Sequence, residues 1–144
     1  MAGFTLVEMV TALAVLGLLA MAAIPMFREL AASQRVQTAA SDLQTSLLRA
    51  RSEAIKQNTV VKMMPVGSWK GGWVISAGGE AIATRAPTPR VSITGPASVD
   101  YRSNGRIAGG MLAQFTVSDQ HTTLQRCVQV SLSGQPIVRK AACS

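Results

Sequence analysis

The sequence predicts an α+β fold, one long N-terminal helix packed on a small antiparallel β-sheet domain, and three observations carry that prediction. An apolar run fills the first 25 residues, a stripe at helical spacing continues to about residue 58, and short β-rich runs between turn residues begin at Thr59. The chain therefore divides into residues 1–3, a hydrophobic helical segment 4–25, an amphipathic helix 26–58 and an antiparallel β domain 59–144.

A length of 144 residues allows one modest domain. Apolar residues make up 48% of the chain, which is too many for a disordered segment, and aromatics only 4%, which is too few for a base-stacking module. The apolar excess lies at the front, where the 21 residues from Phe4 to Ile24 carry one formal charge, Glu8. As a helix that run is roughly 30 Å long, the thickness of a bilayer hydrocarbon core. All 14 basic residues but only six acids follow Met26, a balance near +8 that suits anionic partners.

Three explanations compete for the first 25 residues: a removed signal peptide, an ordinary membrane anchor, or a specialised anchor clipped in front of its apolar run. A secretory signal has a shorter apolar core and a small-residue cleavage site, whereas this run leads into Pro25 and a further helix. An ordinary anchor has no reason to place a carboxylate inside its apolar run, where a mid-bilayer charge costs about 2.5–3.5 kcal/mol. Glu8 thus either reaches the headgroup layer or needs a partner.

The segment Gly3-Phe4-Thr5-Leu6-Val7-Glu8, followed by an apolar helix and Pro25, resembles the prepilin signature of type IV pilins and type II secretion pseudopilins. The resemblance implies that a prepilin peptidase cuts between Gly3 and Phe4 and methylates the new amino terminus of Phe4. Glu8 would then pair with the terminal ammonium of a neighbouring subunit and set the register of stacked helices. The resemblance also implies a single-pass subunit of the inner membrane whose C-terminal domain faces the periplasm until a filament is assembled. The leader Met1-Ala2-Gly3 lacks the Lys or Arg usual in the family, which leaves room for a start further upstream.

Beyond Pro25, Val36, Ala40, Leu43, Leu47, Ala50 and Ala54 recur at spacings of 4, 3, 4, 3 and 4, one face of a helix ending near Gln57 or Asn58. Arg28, Glu29, Arg35, Asp42, Arg49 and Glu53 fall largely off that face. Pro25 removes a backbone hydrogen bond and is the expected helix break between the membrane half and the soluble half.

Strand-like runs follow at Val60 to Met64, Gly72 to Ser76, Arg90 to Thr94, Val99 to Arg102, Ala113 to Val117, Cys127 to Leu132 and Ile137 to Ala142. Gly78 to Pro89 is expected to be a loose loop. Three further segments, Ala50 to Lys56, Trp69 with Gly72-Trp73, and Asn104-Gly105-Arg106, are similar to the GspH/FimT subfamily of minor pilins and pseudopilins. Read for themselves, Ala50 and Ala54 allow close contact with a sheet, the two Trp are core or rim anchors, and Asn104-Gly105 is a hairpin turn.

The chain has two cysteines. If Gly134-Gln135-Pro136 closes a hairpin, Ser133 faces Ile137 and Cys127 faces Cys143, so a disulfide is expected, with Val128, Val130, Leu132 and Val138 on the opposite face. Buried free thiols are one alternative and a metal site another, though two Cys with His121 make a poor ligand set.

Catalysis is not expected, because His121 near Asp119 is a lone candidate base in a polar stretch and no phosphate-loop, nucleophile-elbow or paired-His motif occurs. No cofactor is implied. Some FimT-like minor pilins bind DNA through a C-terminal Gly-Arg-x-Arg motif, but here that place reads Gly134-Gln135-Pro136-Ile137, with the positive charge arriving at Arg139 and Lys140. Double-stranded DNA therefore stays an alternative partner, and Arg102, Arg106, Arg126, Arg139 and Lys140 are its candidate contacts, competing with a generally basic surface.

Overall fold

The computed structural model describes residues 5–143. One helix, α1, spans Leu6–Lys56, 51 residues and roughly 77 Å. Thr5 caps its start, its hydroxyl accepting from the Glu8 N–H at 3.3 Å. At its end the Gln57 N–H donates to the Glu53 carbonyl at 2.9 Å, and Asn58 turns the chain away with φ +49. Pro25 lies inside this helix and does not end it, contrary to the expected break. Proline withdraws one N–H from the ladder, and the Ala, Leu and Met around it are strong enough helix formers to carry the helix past that loss.

Eight strands follow: β1 Val61–Val66, β2 Ser68–Ala77, β3 Glu80–Arg85, β4 Val91–Thr94, β5 Val99–Tyr101, β6 Ala113–Asp119, β7 Arg126–Val130 and β8 Pro136–Arg139. They form two four-stranded antiparallel sheets, in the orders β3-β2-β1-β5 and β4-β6-β7-β8. β3 corrects the loose loop expected over Gly78 to Pro89. Gly78 (φ +57) and Gly79 (φ +90) supply the two left-handed residues of a tight hairpin, which folds β3 back onto β2. Alanine-rich Glu80-Ala-Ile-Ala has weak strand propensity by itself, and pairing with β2 overrides it.

The amphipathic half of α1 lies across both sheets, and the predicted stripe is the buried face: Val36, Leu43, Leu47, Ala50 and Ala54 have no exposed surface. They pack with Val61, Met63, Tyr101, Phe115, Val128 and Val130 from the two sheets. Both tryptophans are core anchors. Trp69 meets Phe115 edge-on with ring centroids 4.8 Å apart, and its indole N–H donates to the Pro96 carbonyl at 2.6 Å.

The C-terminal hairpin pairs differently from the expected register. Val130 faces Pro136 and Cys127 faces Arg139, because the Ser131 N–H donates to the Gln135 carbonyl at 3.0 Å and the Ser131 hydroxyl accepts from the Gln135 N–H at 3.2 Å, moving the turn toward β7. Cys127 and Cys143 are nevertheless joined by a disulfide, because the tail beyond Arg139 leaves the strand and brings Cys143 back to β7. Of the four residues expected opposite the cysteines, Val128 and Val130 are buried, whereas Leu132 and Val138 are exposed at 43% and 37%.

Candidate assembly helix and polar clusters

Among the described residues, the stretch of α1 from Leu6 to Ile24 is largely uncovered within the subunit. Leu6, Met9, Val10, Leu13, Leu16, Leu19 and Ile24 are all more than half exposed, and among the described residues the first fully buried side chain is Ala32. The helix is long and apolar enough there to cross a membrane, and none of the described residues of that stretch is buried. Within it Glu8 occupies the first helical turn, where the helix dipole favours a negative charge. No cation pairs with Glu8 among the described residues. Its charge can be met only from outside this helix. Gly3 and Phe4, the expected cleavage and methylation positions, lie outside the described residues.

Where the helix reaches the β domain, Arg35 grips Asp119 at the end of β6. The Asp119 side chain is fully buried, and its second oxygen accepts from the His121 backbone N–H at 2.9 Å, with the imidazole Nδ1 at 3.3 Å. Burial pushes the Asp119 carboxyl up, but the His121 N–H, the Arg35 guanidinium and the His121 ring together hold it below the usual carboxylate range. His121 is thus a loop residue that braces a structural carboxylate.

At the other end, Arg51 Nε donates to the Gly105 carbonyl at 3.0 Å and Nη1 to Gln135 Oε1 at 3.2 Å, joining α1 to the β5 turn and the C-terminal hairpin. Gly105 (φ +74) forms the expected turn, its N–H donating to the Arg102 carbonyl at 2.8 Å. Tyr101 beneath it is fully buried; burial pushes its phenol well above its ordinary pKa, partly opposed by Arg51.

Of the five candidate DNA contacts, Arg126, Arg139 and Lys140 do not share one groove. Arg102 and Arg106 flank the Gly105 turn, while Arg126 is 92% shielded and shares a groove with Lys140, Gln37 and Gln44 of α1. Arg139 lines a different depression, beside Cys127, Gln129 and Cys143. Alternation along β8 puts Val138 and Lys140 on one side and Arg139 on the other. The sequence reading missed two clusters. One is the Arg35–Asp119 contact, which joins residues 84 apart in the chain. The other is a groove of about 210 Å³ between α1 and β2–β3, lined by Asp42, Arg49, Trp73 and Arg85, with Arg85 paired to Asp42.

No metal-binding group of His, Cys, Asp or Glu occurs among the described residues. No curated protein sequence matches the chain significantly. In two crystal forms the type IV minor pilin FimU of Pseudomonas aeruginosa (strain PAO1) has a similar fold. The P21 form is 19% identical with a TM-score of 0.67, over 74% of this chain and 89% of that one. The P65 form is 22% identical with a TM-score of 0.61, over 72% of this chain and 91% of that one. At these identities the likeness shows the fold alone. In sequence, residues 39–134, from the amphipathic half of α1 to the turn before β8, match the family model described as Type II transport protein GspH. That match and the fold are those of a minor pilin or pseudopilin, a structural subunit and not an enzyme. The chain belongs to the GspH family.

Proposed function

We propose that the protein is a filament subunit of the type II secretion and type IV pilus class, held in the inner membrane by the first half of α1 and assembled by stacking that half against its neighbours. The observation that carries this reading is the exposed, membrane-length apolar helix with Glu8, which has no cation partner among the described residues, continuous with a helix half buried in a β domain. A carboxylate in such surroundings gains most from a cation of another subunit, and a new amino terminus at Phe4 would supply one. Cleavage after Gly3 and methylation of Phe4 by a prepilin peptidase belong to the same proposal. The Cys127–Cys143 disulfide supports a β domain on the oxidising, periplasmic side.

The test is Glu8→Ala in the full chain, followed by measuring the subunit in sheared filaments. The variant should keep a folded β domain and fail to enter filaments; incorporation at the wild-type level overturns the pairing role. Replacement of Gly3 should leave an unprocessed precursor, so a mature Phe4 terminus in its mass spectrum overturns the cleavage assignment.

A further inference from the structure

The turn between β6 and β7 is the part of the β domain that lies against α1 just past its apolar half. It separates two grooves. On one side Phe27, Arg28, Arg35, Arg90, Gln120 and His121 line a cavity of about 560 Å³, and no carboxylate is among its lining residues. On the other, Met26, Leu30 and Leu124 give a mainly apolar depression whose carboxylate is Glu29.

The charge of the first groove is uncompensated. Arg35 is neutralised by Asp119, but neither Arg28 nor Arg90 has an ion-pair partner among the described residues. Arg90 sits in a left-handed turn at φ +67, where glycine is the low-cost residue, and its side chain still lines the groove. Arg28 follows Ile24 by four residues, roughly 6 Å along the axis, so a helix whose apolar run ends at Ile24 carries the groove into the headgroup layer. Phe27 is 71% exposed and Met26 78%, the pairing of apolar and basic side chains that suits a membrane–water interface.

We propose that this groove binds the phosphate of an anionic phospholipid in the leaflet from which the β domain projects, with Arg28 and Arg90 as the cationic contacts and Gln120 as a hydrogen-bond donor. Bound there, the lipid fixes the rotation of the whole subunit about the membrane normal before assembly. The proposal rests on the membrane-anchored reading of α1.

The test uses the full chain in detergent, titrated with phosphatidylglycerol or phosphatidylcholine and read by native mass spectrometry, beside an Arg28→Gln/Arg90→Gln double variant. The wild type should retain one phosphatidylglycerol about tenfold more tightly than phosphatidylcholine, and the double variant should lose that preference. Equal retention of both lipids, or an undiminished preference in the variant, overturns the site. Inorganic phosphate at millimolar concentration that displaces the lipid completely overturns the lipid assignment in favour of free phosphate. Flotation of the full chain with neutral vesicles checks the anchor separately: a chain that floats without lipid preference refutes only the groove, and a chain that does not float refutes the anchor itself.

Discussion

Arg35 Nε and Nη2 both stand 3.0 Å from Asp119 Oδ2, one carboxylate oxygen fastening the membrane-facing end of the helix's buried face to the end of β6. The arginine is 28% exposed and the aspartate not at all, so removing the cation strands a carboxylate that cannot reach water. Arg35→Ala should therefore destabilise the β domain by about 2–3 kcal/mol in denaturant unfolding. The Asp119 carboxyl is held below its ordinary pKa, so its contribution is complete above the unfolded-state value near pH 4 and is lost as pH falls through the lower folded-state value. Unfolding curves of wild type and Asp119→Ala should converge in acid; a gap that persists at pH 2 contradicts this assignment.

The Cys127–Cys143 bridge closes a loop with a sequence separation of 16. Its reduction should cost about 3 kcal/mol by loop entropy and lower the Tm, yet leave the sheets intact because the bridge adds no buried apolar contact to their core. Thermal melts with and without reductant, with thiol labelling as a control, measure both effects. Two freely labelled thiols in untreated protein would contradict the bridge.

Gly134 sits at φ +84, and a Cβ there would collide with the Gly105 carbonyl oxygen and press on the Tyr101 ring. Two backbones thus approach too closely for any side chain, and Arg51 spans the junction. Gly134→Ala should destabilise the domain by about 2 kcal/mol or more, well beyond the same change at the exposed Gly110. Paired chemical denaturation of the two variants gives the comparison.

Arg139 lines a different depression from Arg126 and Lys140, so duplex DNA should bind the soluble fragment beginning at Arg28 only weakly and with strong salt dependence. The Arg139→Ala/Lys140→Ala double variant should reduce that binding slightly. Titration at two salt concentrations measures it, and complete loss near physiological salt would instead mark a dedicated DNA surface.

Leu47 has no exposed surface and lies at the middle of the helix–sheet core. Leu47→Ala should cost about 2–5 kcal/mol, while the same truncation at Leu16, exposed at 61%, should leave the unfolding of the β domain unchanged.

What could be read in the sequence was written in local periodicity. The stripe from Val36 to Ala54 is buried as its spacing required, and the ending at Gln57 and Asn58 follows where that pattern stops. The tryptophans and the Asn104-Gly105 turn were legible for the same reason, since residue type and neighbours suffice to place them. Pairing partners were less legible. The C-terminal register was misread because Ser131 bonds Gln135 through both N–H and hydroxyl, a choice between loops that differ by small energies. β3 was hidden by its alanines, although Gly78-Gly79 marked the hairpin. Arg35 with Asp119, and Arg28 with Arg90 and His121, come together only when the helix lies across β6 and β7, which no spacing along the chain encodes.

The exposed half of α1 also limits where the subunit can travel. The large apolar side chains from Leu6 to Met21 are all more than half exposed in the isolated protein, so two surroundings satisfy them, acyl chains and the equivalent helices of other subunits. Water satisfies neither the apolar face nor the colloidal stability of the free chain. Passage from bilayer to filament is then a hand-over between two apolar solvents without an aqueous intermediate, and a subunit released from either without the other should aggregate before it diffuses away.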